Sequence, residues 1–260
     1  MINALLGIIL VSAVAAITGT YIVTRRMLFV SGGITHACFG GLGLGYWLGL
    51  PPEATAAAFA VGSSLGADWL TSRRVRSDSS IAVIWAVGMA LGILFIFLSP
   101  GYVPELNSFL FGNVLTITMR DIWIFGAFTA LLTGFFLIFR RRIVAVSFDQ
   151  DFARTRGLPV RFINISMTVL TAVAIVLVIR MTGIMLLMSV LSLPQLTAEN
   201  FTRRYFSMMA LAFLFSLAGG IGGLAVAWYI SVPASAAIVL LTAAFYLLSL
   251  VIRNLTSRVS

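Results

Sequence analysis

The sequence predicts an all-α protein threaded repeatedly through a lipid bilayer, and three observations carry that expectation. Sixty per cent of the 260 residues are hydrophobic and only 10% are charged, where a soluble domain has roughly 25% charged residues. Apolar stretches close to the ~20 residues that an α-helix needs to cross a ~30 Å hydrocarbon core recur from one end of the chain to the other. The 17 basic residues are all arginine and gather in short connections between those stretches, the distribution that orients a membrane protein. A net charge of +9 would suit nucleic acid only if a water-exposed surface displayed it. No nucleic-acid partner is therefore expected, and one transmembrane domain, 1–260, accounts for the chain.

Nine apolar segments follow one another, at 4–23, 31–50, 53–70, 81–98, 122–139, 163–180, 183–197, 208–227 and 235–252. The first lacks the basic start and cleavage site of a signal peptide and is expected as a membrane helix. In the second, Gly33, Ala37, Gly41, Gly45 and Gly49 recur at every fourth position, a smooth stripe of the kind that lets helix backbones approach closely in lipid. The third contains Gly62-Ser63-Ser64-Leu65-Gly66, which fits the Gly-x-Ser-x-Gly nucleophile elbow of hydrolases. That elbow needs a strand before it and a helix after it, whereas these residues lie within one Ala/Gly/Ser-rich run. Small residues at helix contacts account for the match.

The seventh segment is short, and Pro194 interrupts it. A broken or partly re-entrant helix there leaves eight or nine crossings. The eighth repeats the glycine device with Gly219, Gly220, Gly222 and Gly223. Both glycine-rich segments end in an aromatic pair and a proline turn, Pro51-Pro52 or Pro233, before an Ala-rich helix. Internal repeats leave such a pattern, and membrane helix hairpins in general share it.

Placing the Arg25-Arg26 turn in the cytoplasm puts Arg73, Arg74, Arg76, the 140–161 connection, Arg203-Arg204 and the 253–258 tail there too. Only Arg120 and Arg180 remain outside. The positive-inside rule then sets the N-terminus outside and the C-terminus in the cytoplasm. Tyr46, Trp47, Trp123, Trp228 and Tyr229 fall near the outer interface, where amphipathic rings are favoured.

The chain contains no lysine, so it cannot supply the P-loop lysine that grips nucleotide phosphates. ATP-driven transport would need a separate ATPase subunit and docking surfaces for it. Two stretches qualify. In FDQDFARTRGLPV, Asp149 can cap a short helix with Asp151 in its first turn, Arg154 and Arg156 at its end, and Gly157 with Pro159 as its stop. After Pro194, Gln195 to Tyr205 reads as a polar turn or helix carrying Glu199, Phe201, Arg203 and Arg204. The plain alternative is two solvated connectors with snorkelling arginines.

His36 is the sole histidine, about one turn into the second segment. An ionisable group inside a membrane is a functional candidate by default, and imidazole is a good ligand for first-row divalent ions. A histidine hydrogen-bonded between helices is the bland alternative. Cys38 is the only cysteine, so no intrachain disulfide forms. On a regular helix it lies about 200° round from His36, too far for both to hold one ion unless the helix is broken.

These segments resemble the permease subunits of ABC importers for zinc, manganese and iron. GGITHACFGG is similar to that family's Asp-x-x-Ser-His-Ala segment, with Thr35-His36-Ala37 on Ser-His-Ala. SFLFGNVL, at 108–115, resembles Leu-Phe-Gly-Asp-Ile-Leu. Asp149 to Gly157 resembles an acidic cytoplasmic helix ending Ala-x-x-x-Gly, TGIMLLMSVLSLPQLTA the segment leading into a coupling helix, and VPASAAIVL a Leu-Pro-x-Gly-x-x-Ile-Val-Leu segment.

The resemblance implies the type II importer fold in a bacterial cytoplasmic membrane. It implies two permease copies, two cytoplasmic ATPase subunits that use the ATP, and an extracytoplasmic metal-binding protein. The chain itself is then no enzyme and holds no cofactor stably; a divalent metal is its substrate. Thr35 and His36 border the ion path, with His36 a transient ligand. Gln195, Glu199, Phe201, Arg203 and Arg204 receive the ATPase stroke, supported by Asp149 and Asp151. Gly32 and Asn113 stand where the family has Asp, which keeps a metal-chelate permease open. An ion-coupled secondary transporter is the other alternative, with only His36 to serve it.

Overall fold

The computed structural model describes residues 2–72, 77–100 and 117–256, and every regular element among them is an α-helix. In chain order these are α1 (Ile2–Thr24), α2 (Leu28–Leu48), α3 (Pro52–Ser72), α4 (Ser77–Leu98), α5 (Met119–Phe148), α6 (Gln150–Thr155), α7 (Val160–Phe201), α8 (Tyr205–Ile230) and α9 (Ala234–Thr256). The Arg73–Arg76 connection, the 108–115 segment with Asn113, and Arg258 lie outside the described residues. Seven helices (α1, α2, α4, α5, α7, α8 and α9) are long and apolar enough to cross a membrane. α3 has the length, but alanine, glycine and serine replace its larger aliphatics.

α7 decides the pass count. Its 42 residues would extend ~63 Å if straight, about twice the hydrocarbon thickness. Gly183 breaks it, with φ 82 and ψ 167, a backbone region essentially closed to residues bearing a Cβ. Contacts on either side show that the chain doubles back there. Near its start, Asn164 accepts from the Arg25 guanidinium at 2.6 Å. Just before the break, Arg180 donates to Asp121 at the start of α5, at 2.9 Å. Near the other end, Asn200 accepts from Arg253 of α9 at 2.8 Å. α7 therefore supplies both the sixth and the seventh expected segments.

The expected interruption at Pro194 does not occur. The helix runs through it to Phe201, and the chain leaves helical geometry at Thr202. A proline costs a helix one backbone hydrogen bond, which a membrane bundle tolerates where neighbouring groups surround the site. Pro194 is buried, and Gln195 beside it is 0% exposed. Its amide donates to the Ala15 carbonyl of α1 at 2.7 Å, in space that Gly19 leaves free: a Cβ there would meet the Gln195 side chain and the Leu191 carbonyl.

The helices form two groups, α2–α3–α4 on one side and α1–α5–α8–α9 on the other, and α7 carries most of the packing between them. Its fully buried side chains, including Ile163, Met167, Ile175, Leu186, Leu187 and Leu191, form the centre of the core. α2 and α4 run parallel, since Gly33 meets Ile81, Gly88 meets Ala37 and Gly43 meets Gly92. The glycine stripe of α2 does not serve a single neighbour. Four residues advance a helix by ~400°, so a four-residue repeat drifts by ~40° per step. Gly33 and Ala37 accordingly face α4, whereas Gly41 and Gly45 face α3, with Thr55, Ala56 and Pro52 in the way of any Cβ.

α8 uses its glycines in the same manner. Gly219, Gly222 and Gly223 face α9, and Gly220 faces Ile8 of α1. The two glycine-rich helices also end alike, in a left-handed residue at Gly49 (φ 67) and at Ser231 (φ 57), each shortly before the proline turn.

Candidate transport path and docking faces

Thr35 and His36 are neighbours on α2, and the ~100° between successive residues sends them to different partners. Thr35 is 0% exposed. Its hydroxyl donates to the Ser31 carbonyl at 2.7 Å and lies 3.9 Å from the Met188 sulfur in the second pass of α7. His36 turns towards α4 and is half-buried. Its imidazole stacks on the Trp85 indole with centroids 4.3 Å apart and an interplanar angle of 5°. His36 Nδ1 is buried without a hydrogen-bond partner, so the interhelical hydrogen bond of the bland alternative is not made there.

Of the two residues expected beside the path, only His36 reaches the edge of the helix group; Thr35 is sealed against α7. The space beside Gly32 is filled by Met188, whose Cε would stand 3.0 Å from a Cβ at that position. Among the described residues no group of three or more His, Cys, Asp or Glu forms a metal cage. Ser64 donates to the Val61 carbonyl at 2.9 Å within the continuous helix α3, so the strand that a nucleophile elbow requires is not there.

The arginine-rich end carries the expected short helix. Asp149 closes α5 and caps α6, accepting from the Phe152 amide at 2.9 Å. Asp151 pairs with Arg154 at 3.2 Å, both exposed, and Gly157 takes φ 68 as the stop. Ala153 is fully buried and anchors the helix while Phe148 and Phe152 stay exposed. Arg25 ties this end together, bonding Asn164 and, at 3.2 Å, the Tyr21 hydroxyl.

At the second expected docking stretch the residues part company. Glu199, Phe201, Arg203 and Arg204 are exposed, with Phe201 stacked on Phe215 at 6.0 Å. Gln195 is not among them: it is buried against α1, about a turn deeper. Asn200, which sequence reasoning passed over, links the end of α7 to α9 by donating to Ser249 at 2.8 Å and accepting from Arg253.

The opposite end holds a charge cluster that sequence reasoning also missed. Arg180 bridges Asp121 and Glu53, joining α7, α5 and α3. Asp121 also completes a capping box at the start of α5, accepting from the Thr118 amide at 3.1 Å and the Thr118 hydroxyl at 2.6 Å. The available signal was that Arg180, Glu53 and Asp121 all fall on one side of the membrane when the arginine bias is applied. At this same end Trp123, Trp228 and Tyr229 are exposed by 67% or more.

The bundle thus presents a half-buried imidazole at the edge of the α2–α3–α4 group and exposed helix ends at its arginine-rich end. The chain belongs to the ABC 3 transport family, whose model matches residues 1–253. It is similar to membrane protein slr2045 of Synechocystis sp., at 34% identity over 98% of this chain and 91% of that one. Against the manganese transport system membrane protein MntC of Listeria innocua the identity is 28%, over 95% of this chain and 88% of the relative. Among solved structures, PsaBC from Streptococcus pneumoniae in complex with Fab matches at TM-score 0.85 and 29% identity, covering 95% of this chain and 89% of that chain.

Proposed function

We propose that this chain is the permease subunit of an importer that moves a divalent metal ion (zinc, manganese or iron) into the bacterial cytoplasm. The carrying observation is the family match along nearly the whole chain, with a relative named for manganese transport. Two copies form the permease unit. The arginine-rich end faces the cytoplasm, where cytoplasmic ATPase subunits dock on Glu199, Phe201, Arg203 and Arg204, and on α6 with Asp149 and Asp151. An extracytoplasmic metal-binding protein delivers the ion to the end that carries Arg180. ATP is used by the partner subunit, and the metal passes as substrate. His36 borders the path as a transient nitrogen ligand, since a conduit must bind weakly enough to release.

The test is uptake into proteoliposomes containing this chain and its ATPase subunit, supplied with metal-loaded binding protein. Zinc, manganese or iron should accumulate only when ATP is enclosed with the ATPase. The permease should purify as a homodimer without ATPase activity of its own. A monomer that accumulates metal under a proton or sodium gradient, with ATP omitted, would establish the secondary-transporter alternative instead.

A further inference from the structure

A metal ligand in a conduit has two conflicting requirements. It must be held in one orientation, yet at least one lone pair must stay free to take and release an ion. Resident metal sites meet the first requirement with a hydrogen bond from the second ring nitrogen to a carboxylate or carbonyl. His36 lacks that arrangement, because its Nδ1 is buried with no hydrogen-bond partner. What constrains the ring is Trp85, stacked parallel at 4.3 Å and 5°. Trp85 stands on α4 where that helix is locked to α2 at close range, with Gly33 against Ile81 before it and Gly88 against Ala37 after it. A Cβ at either glycine would press the helices apart and open the stack.

We propose that Trp85 is a positioning residue for the cargo: its indole holds the His36 imidazole in plane so that a ring nitrogen meets the passing ion. The proposal rests on the assignment of His36 to the ion path. Stacking suits a conduit better than the hydrogen bond of a resident site does, because it fixes the plane of the ring without the increase in ligand basicity that the second N–H bond gives, and a weaker ligand releases its ion more readily. The histidine is half-buried and the tryptophan 46% exposed, so the pair stands at the edge of the α2–α3–α4 group. Parallel stacking of this kind is a modest, directional contact, which sets an orientation without trapping an ion.

The chain has one histidine, so a tag-free permease with isotope-labelled histidine gives a single imidazole signal in nanodiscs. That signal should carry the ring-current shift of an overlying indole and should move when zinc is added. Trp85→Phe keeps a stacking face and should leave the zinc titration within about twofold of wild type. Trp85→Leu should abolish the ring-current shift and raise the half-saturating zinc concentration about five-fold, equivalent to about 1 kcal/mol. Zinc uptake should slow while co-purification with the ATPase stays intact. Trp85→Met, which fills the volume without a ring, should behave like Leu.

A Leu or Met variant that titrates zinc as wild type, alongside a His36→Gln variant that has lost uptake, would reduce Trp85 to packing and overturn the proposal alone. A wild-type imidazole signal that zinc never moves, together with full uptake by His36→Gln, would remove His36 from the path and the proposal with it.

Discussion

Gly183 shows what one residue decides. Its backbone conformation, φ 82 and ψ 167, would cost a residue with a Cβ about 1–3 kcal/mol. Gly183→Ala should therefore lower the thermal midpoint of the purified permease, read as loss of monodisperse protein after heating. Gly126→Ala in α5, where an added Cβ meets nothing within 4 Å, should leave that midpoint unchanged or slightly higher. At this scale the sequence is legible where the interaction is local. The Asp149 cap and the Gly157 stop could be read from a dozen consecutive residues because capping groups bond within one turn. The partners of Arg180 could not, since they lie 59 and 127 positions away. Nor could the direction of His36, which depends on where α4 passes.

Helices as elements were legible almost throughout, because a bilayer forces every backbone group to be satisfied within the segment. The reversal at Gly183 falls at the boundary expected between the segments 163–180 and 183–197, and the misplaced feature was the interruption at Pro194, because a proline at membrane depth is held by its surroundings. That correction redraws the docking surface and makes a paired prediction. Glu199→Ala, on the exposed end of α7, should reduce ATP-driven uptake while the metal-binding protein still docks outside. Gln195→Met should leave coupling intact and stability equal or higher, because it removes a buried amide whose Oε1 has no partner while keeping the volume. Equal loss of uptake in both, at matched incorporation, would restore Gln195 to the coupling surface. Phe201 is a poorer probe, since its ring also packs on Phe215.

For the whole molecule, the arginine distribution carried more than any motif. It sorted the helix ends into two sets, and the contacts agree with that sorting: Arg25 with Asn164 and Arg253 with Asn200 at one end, Arg180 with Asp121 and Glu53 at the other. What composition could not show is that the helices divide into two groups bridged by α7, because that depends on which faces meet. Sidedness is directly measurable. Cys38 is the only cysteine and is 1% exposed, so a membrane-impermeant maleimide has little background target. Tyr229→Cys should label in intact cells and Asp151→Cys only after permeabilisation. The reverse pattern would invert the proposed orientation.

The hairpin in α7 also bears on how the protein is made. A nascent chain emerging from the ribosome presents the insertion machinery with 42 residues and no hydrophilic loop between the two passes. Arg180, which meets Asp121 and Glu53 at the turn, is the one charge that has to cross with the hairpin, so the two passes enter as a pair. Were the reversal at Gly183 to fail, α7 would cross once, and α8, α9 and the tail would be built upside down. Arg203, Arg204 and Arg253 would then face the wrong compartment, which the positive-inside bias opposes. In the proposed orientation those arginines oppose, during insertion, the same error that the reversal at Gly183 prevents.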